Sequence, residues 1–301
     1  MFSISDIHST LPNKSLRANF LSFFESEFKN QESVIIGKSM LGEDIMCYKL
    51  GKGKRRILYV AAHHAAEYIS ASALYDFIIF LLDKSARGEV YGSVNLRLLL
   101  QKFTFWIIPC LNPDGVELNL YGPCNSPLAL RQIRMNENAE DFSLWQANAR
   151  GVDLNHNYDF RFFEYKREIE AKENIQAGKT KYSGEYPESE PESRALADFT
   201  RALMPSLVVS LHTQGEEIYS MPKSASVSRL AGRAARLIGY KHKEPEGTAA
   251  YGGFCDYTGA ALGIPSLTVE LGKGKNPLPF SFLGGIIYKT RLLLSALPTL
   301  L

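Results

Sequence analysis

Cysteine is scarce in this sequence and unpaired in spacing. Cys47, Cys110, Cys124 and Cys255 lie far apart, and no two form a C-x-x-C pair, which argues against a cysteine zinc site. Their neighbours read as strands or loops, so a disulfide framework is not expected in a chain of 301 residues; reduced thiols of a cytosolic protein are. An excess of charge is also missing. The formal net charge of +2 gives no basis for binding nucleic acid or an anionic membrane. The N-terminal stretch MFSISDIHSTLPNKSLRANF has no basic start followed by an apolar run, so no secretory leader is expected. The longest strongly apolar run, Phe77 to Leu82, falls far short of the ~20 residues of a membrane helix. Internal repeats and low-complexity linkers are absent as well. These absences lead to an expected soluble, cytoplasmic protein with no nucleic-acid, membrane or obligate protein partner.

What is present suits a packed domain. The apolar share is 45% and the charged share 22%, ordinary for a globular chain with a sizeable core. The chain reads as one domain over 1–301, with an N-terminal helical extension over 1–33 and a surface insertion over 159–187. Leu16, Phe20, Phe23, Phe24 and Phe28 have helical spacing, and the Lys- and Glu-rich stretch 161–181 reads as solvated. Turns are expected at Ser39 to Gly42 and at Lys52 to Lys54. Buried strands are expected at Ile57 to Ala61, Phe103 to Ile108, Leu207 to Leu211 and Pro265 to Glu270. Helices are expected over 68–83, 192–203, 224–238 and 284–296. Strands alternating with helices predict an α/β sandwich with a largely parallel sheet.

Three segments carry chemistry. In AAHHAAEY, His64 and Glu67 are three apart, so on one helical turn they face the same way just beyond a buried strand. An imidazole and a carboxylate are both zinc ligands. His63, four residues before Glu67, competes for the same role. In SLVVSLHTQGEEIY an apolar strand delivers His212 into a polar turn, as a third ligand. In GIPSLTVELGKGKNP, Glu270 ends another apolar strand beside Gly272 and Gly274. Two histidines and one carboxylate leave a zinc position open for water, and a separate carboxylate such as Glu270 can take its proton as general base. Each segment alone has an ordinary reading, as a cap, a strand-end histidine or a salt-bridged carboxylate. The Gly272 to Lys275 run lacks the spacing of a phosphate loop.

Taken in order, these segments resemble the zinc carboxypeptidase family over roughly residues 35–295. His64 and Glu67 resemble its His-x-x-Glu motif, Asn112 to Gly115 its Asn-Pro-Asp-Gly turn, and Arg150 to Asn155 its substrate-binding segment. His212 matches the third ligand and Glu270 the catalytic glutamate, and Gly252 through Asp256 resembles the stretch that shapes the specificity pocket. The resemblance implies a three-layer α/β sandwich with a mixed, mostly parallel eight-stranded sheet flanked by helices. It also implies Zn2+ at His64, Glu67 and His212, and a guanidinium that stabilises the oxyanion. Arg150 is the first candidate for that guanidinium and Arg134 the second. Asp153 is a candidate to orient a zinc histidine.

The departures bear on substrate. Where the family's carboxypeptidases have Asn-Arg gripping a C-terminal carboxylate, this sequence has Asn155 and His156. An always-charged fork has become an imidazole that is only partly charged near neutrality. Thr248 stands where the pocket-capping tyrosine is expected, with Tyr251 nearby as a substitute, and the neutral Cys255 occupies the pocket base. The phrases WQANARGVDLN, SLHTQGEEIYS and ELGKGKNPLP resemble the bacterial γ-D-glutamyl-diamino acid endopeptidase branch. That resemblance implies a cell-wall peptide substrate cut between γ-D-glutamate and meso-diaminopimelate or lysine. The alternatives are an ordinary L-peptide carboxypeptidase, an amidase or deacylase, and a non-catalytic peptide binder.

Overall fold

The computed structural model describes residues 31–123, 126–245 and 251–301. The helix expected over 14–29 and the position of Thr248 lie outside them. Ten strands follow in order: β1 Glu32–Lys38, β2 Asp44–Gly51, β3 Arg55–Ala61, a small hairpin of β4 Val90–Tyr91 and β5 Val94–Asn95, β6 Phe103–Ile108, β7 Leu207–His212, β8 Glu217–Met221, β9 Lys241–Lys243 and β10 Ser266–Glu270. Eight of these form one sheet in the order β1-β2-β6-β3-β7-β10-β8-β9. β6, β3, β7 and β10 run parallel in its centre, β1 and β2 pair antiparallel with their neighbours, and β8 is antiparallel to β10 and parallel to β9.

The central strands are apolar on both faces because both faces are covered. Ile57, Tyr59 and Ala61 of β3 pack into one layer, and Leu58 and Val60 into the other. The first layer holds the helices α1 Tyr68–Ala86, α3 Ala225–Ile238 and α4 Leu283–Leu300; the second holds α2 Pro191–Leu203 and the segment around Phe254. Each large side chain buried here contributes roughly 2 kcal/mol. α3 shows why its sequence makes a helix: Ser224 caps its first turn through Val227 N–H at 3.3 Å, Val227, Leu230, Ala231, Ala234 and Ile238 form the buried stripe, and Gly239 at φ 72° ends it.

By length and composition, residues 65–86 and 280–300 are apolar enough to cross a bilayer, which the longest run in the sequence did not indicate. In the fold, 89% of the first and 39% of the second are buried. The first is therefore a core helix, whose apolar residues are interrupted by serines that bond back to the backbone.

Chain order places the site. After β3 the chain crosses to β6 on one side of it, and after β6 it returns to β7 on the other. The carboxyl ends of β3 and β7 thus flank a switch point, where open α/β sheets form a crevice. Charged side chains of the stretch expected as a surface insertion do face solvent, yet Phe162, Tyr165, Glu170 and Ser183 are buried. The reason is a set of bonds to the crevice: Lys181 N–H and the Tyr182 carbonyl hold Asp153, and the Lys179 carbonyl takes Gln146 and Ala147 N–H.

Candidate metal centre and active site

His64 follows β3, Glu67 sits at the start of α1, and His212 ends β7. One candidate ligand atom from each lies within 4.8 Å of the others. The Nδ1 atoms of His64 and His212 each stand 3.0 Å from a different oxygen of Glu67. Glu67 is also fixed by Thr213 N–H at 3.1 Å and by the Asn276 amide at 3.2 Å. Burial alone would raise its carboxyl; the two imidazoles and their hydrogen bonds outweigh burial and bring it down to about 2.

The donor set fits a cation. Asp153 Oδ1 lies 3.1 Å from Nε2 of His64, which places the proton on Nε2 and bares Nδ1 toward Glu67. A bare imidazole nitrogen facing a carboxylate is repulsive unless a cation or proton lies between them. His64 is in that position, and the buried Nε2 of His212 has no hydrogen-bond partner. Two nitrogens and one carboxylate are the donors zinc prefers.

His63 is not part of this group. Its Nε2 is 3.0 Å from the Tyr158 hydroxyl and its Nδ1 3.3 Å from the Ser210 hydroxyl, and it is fully buried. Burial, then the neighbouring His212 and His64, hold it well below the ordinary histidine range, so it packs as a neutral ring against His212. The competition between His63 and His64 is resolved by which side of the β3 end each side chain faces.

Glu270 lines the same cavity of about 380 Å³ with the three ligands. Burial, then the Glu67 carboxylate, push it well above the ordinary carboxylate range, and positive charge at the ligand cluster opposes that shift. Asn155, His156, Tyr251 and Cys255 line the cavity too. Asn155 Oδ1 accepts Phe254 N–H at 3.1 Å, which leaves its amide nitrogen as a donor. His156 bonds the Tyr251 carbonyl through Nδ1 at 3.0 Å and stacks on Tyr165 with ring centroids 4.3 Å apart. Tyr251 carries the Arg161 guanidinium over its ring at 4.1 Å. Burial pushes the Cys255 thiol up to about 12, so it is neutral.

The two arginines expected near the metal are not among the cavity's lining residues. Arg150 forms a forked ion pair with Glu190, Nε at 3.1 Å and Nη2 at 2.6 Å. Glu190 is fully buried, and a buried carboxylate demands a partner. Arg134 is on the exposed face of the Ala129–Met135 helix, bonded to the Leu130 carbonyl at 3.2 Å. Sequence reasoning missed Gln146 and Asn276. Gln146 lines the cavity, and its Oε1 accepts the Thr180 hydroxyl at 3.0 Å, which leaves its NH2 as a donor. Its place between Trp145 and the Arg150 segment was the available signal; for Asn276 it was the Asn-Pro step closing the Gly272 to Lys275 turn.

Comparison with known proteins settles the family. The zinc carboxypeptidase model matches residues 18–289. The chain belongs to the zinc carboxypeptidase family. It is thus a zinc metallopeptidase, and its His64, Glu67 and His212 group is able to hold a metal ion. This metallopeptidase is 34% identical over 276 residues to γ-D-glutamyl-L-diamino acid endopeptidase 1 of Lysinibacillus sphaericus, covering 89% of this chain and 67% of that one. It is 32% identical over 255 residues to the uncharacterized protein YqgT of Bacillus subtilis, covering 81% and 66%. The chain therefore spans about two thirds of the length of these relatives. Its fold is shared with thrombin-activatable fibrinolysis inhibitor (TM-score 0.71, 21% identity, 99% of this chain and 73% of that one). It is shared too with the murein-tripeptide amidase MpaA of Escherichia coli O157 (TM-score 0.56, 20% identity, 87% and 91%).

Proposed function

We propose that this metallopeptidase hydrolyses the bond between γ-D-glutamate and meso-diaminopimelate or lysine in murein peptides. The observation that carries the reading is the charge of the cavity: among the described lining residues there is no lysine or arginine to grip a free C-terminal carboxylate. The family's arginine position holds His156, whose Nδ1 is committed to the Tyr251 carbonyl. Likeness to the Lysinibacillus endopeptidase supports the same choice.

Zinc, when bound, supplies Lewis acidity: it acidifies a water molecule and polarises the scissile carbonyl. The chain's own groups do the rest. Glu270 takes a proton from the attacking water and returns it to the leaving amine. The amides of Gln146 and Asn155 offer neutral donors to the substrate. Asp153 keeps the His64 ring in one tautomer.

The test is a mass-spectrometric digest of defined muropeptides by zinc-loaded protein, with Glu270→Gln as control. Release of diaminopimelate- or lysine-bearing fragments, with or without an amidated C-terminus, is expected. Trimming of ordinary L-peptides with no cut in L-Ala-γ-D-Glu-diaminopimelate would overturn the proposal in favour of a conventional carboxypeptidase. Cytoplasmic action on released wall peptides is part of the proposal. Among the described residues, the buried free thiols of Cys47 and Cys255 support it, and cell fractionation tests it.

A further inference from the structure

The turn that follows Glu270 alternates pinned and unpinned residues. Gly272 N–H donates to the Tyr240 hydroxyl at 3.1 Å, and the Gly272 carbonyl accepts Gly215 and Glu216 N–H at 2.9 and 3.0 Å. Gly274 N–H donates to Gln214 Oε1 at 3.4 Å. The Asn276 amide donates to Glu67 Oε1 at 3.2 Å and to the Thr213 carbonyl at 2.8 Å. Gly272 stands at φ 67°, and a Cβ there would meet Leu278 at 2.8 Å, so the turn needs glycine at its first corner. Between these anchors Lys273 and Lys275 are exposed, and among the described residues neither has an ion-pair or hydrogen-bond partner. Glu216 and Glu217, on the segment that anchors the turn, are already paired, with Lys289 at 2.9 Å and Lys243 at 2.5 Å.

This turn belongs to one wall of the cavity, where Gln214 and Asn276 stand with Thr213 beside Glu67. Asn155 and His156, at the positions where the family grips the departing residue, are bonded instead to Phe254 and Tyr251. A departing residue on that wall leaves the wall of Gln214 and Asn276 to the acyl side of the scissile bond. A γ-linked glutamate brings a particular group to the acyl side. Joined through its side-chain carboxyl, it keeps its α-carboxylate free, two methylenes and the α-carbon away from the carbonyl that is cut. That carboxylate is ionised near neutrality. Among the cavity's described lining residues no lysine or arginine meets it. The nearest cations along this stretch of chain are the two unpaired lysines of the turn.

We propose that Lys273 and Lys275 recognise the free α-carboxylate of the glutamate on the acyl side, and so make the enzyme select that residue with a free over an amidated α-carboxyl. This rests on the γ-glutamyl hydrolysis proposed above and names the groups that read the acyl half of its substrate. A lysine ammonium is a compact charge on a flexible four-carbon stem, so a pair of them on a pinned turn serves a carboxylate at the cavity mouth without lining the cavity. Asn276 ties the turn to Glu67, which keeps both stems in register with the metal ligands.

Two peptides that differ only in that carboxylate test the idea: L-Ala-γ-D-Glu-L-Lys-D-Ala and its counterpart with the glutamate α-carboxyl as an amide. The zinc-loaded wild type is expected to favour the free acid in kcat/KM by roughly fivefold to tenfold, between the worth of an exposed ion pair and that of a hydrogen bond to a charged group. With Lys273→Gln and Lys275→Gln combined, the ratio is expected to fall toward one, mainly through KM. Lys273→Arg with Lys275→Arg keeps both charges and is expected to keep the preference. A wild type indifferent to the carboxylate, or a double glutamine variant that keeps the wild-type ratio, overturns the proposal. Should neither peptide be cut, the hydrolysis reading fails on its own. The recognition claim is then decided by calorimetric binding of both peptides to zinc-loaded Glu270→Gln protein, where equal affinities refute it.

Discussion

Glu270 stands directly across from His212 in the parallel pairing of β10 with β7. Residues level with each other on neighbouring strands project from the same face of a sheet. The base and one metal ligand are therefore held side by side by backbone hydrogen bonds. Glu270→Gln preserves that ladder and removes only the proton acceptor. It is expected to lower kcat by about 10²- to 10⁴-fold while zinc content stays at the wild-type level. Kinetics with metal analysis check it; loss of zinc in this variant would make Glu270 a ligand.

The ligand group makes its own prediction. His212→Ala and Glu67→Gln each remove one of three donors and are expected to abolish stoichiometric zinc. Asp153→Ala leaves the donors intact but frees the His64 ring, and a loss of about 10- to 100-fold in zinc affinity is expected. Competition with a chelator of known affinity measures both, and wild-type affinity in Asp153→Ala protein would show that Asp153 does not orient the ligand.

Arg150 and Glu190 separate a structural role from a catalytic one. Removing Arg150 leaves a fully buried carboxylate without its forked partner. Arg150→Ala is expected to destabilise the fold by on the order of 3 kcal/mol, seen as a lower Tm, and Glu190→Gln in the same chain to restore part of it. An unchanged Tm with a large fall in kcat would return Arg150 to the oxyanion role that the sequence suggested.

Glu192 supplies a pH test. Its oxygens accept Met40 N–H at 2.9 Å and the Asn148 amide at 3.2 Å. Burial pushes its carboxyl up to about 7, hydrogen bonds pull it down, and the Asp114 and Glu190 carboxylates push it further up. A carboxyl whose folded pKa is raised holds its proton in the native state after the unfolded chain has released it. Its contribution to stability is therefore fully present below the unfolded value near 4.5 and declines as pH rises toward 7. Denaturant titrations from pH 5 to 8 are expected to show this decline, at most roughly 1.4 kcal/mol per pH unit, and Glu192→Gln to flatten it. Parallel curves for the two proteins would contradict the assignment.

The layered fold was legible because buried strands read as unbroken apolar runs: Phe103 to Ile108 matches the expected strand from end to end. β8 was not, since Glu217, Tyr219 and Met221 alternate with buried Ile218 and Ser220 in a short, partly polar segment. In the site, spacing alone could not choose between His63 and His64. The choice came from Tyr158 and Ser210, both distant in sequence.

By itself the sequence placed the His63–His64 pair, Glu67, His212 and Glu270 at the end of a strand or on the first turn of a helix, where local periodicity sets direction. The tertiary structure alone decided which charges meet. It drew Arg150 to Glu190 and set Asn276 against Glu67. The physical reason is that a buried charge is satisfied by whatever group the fold brings within about 3 Å, and no pattern along the chain encodes that distance.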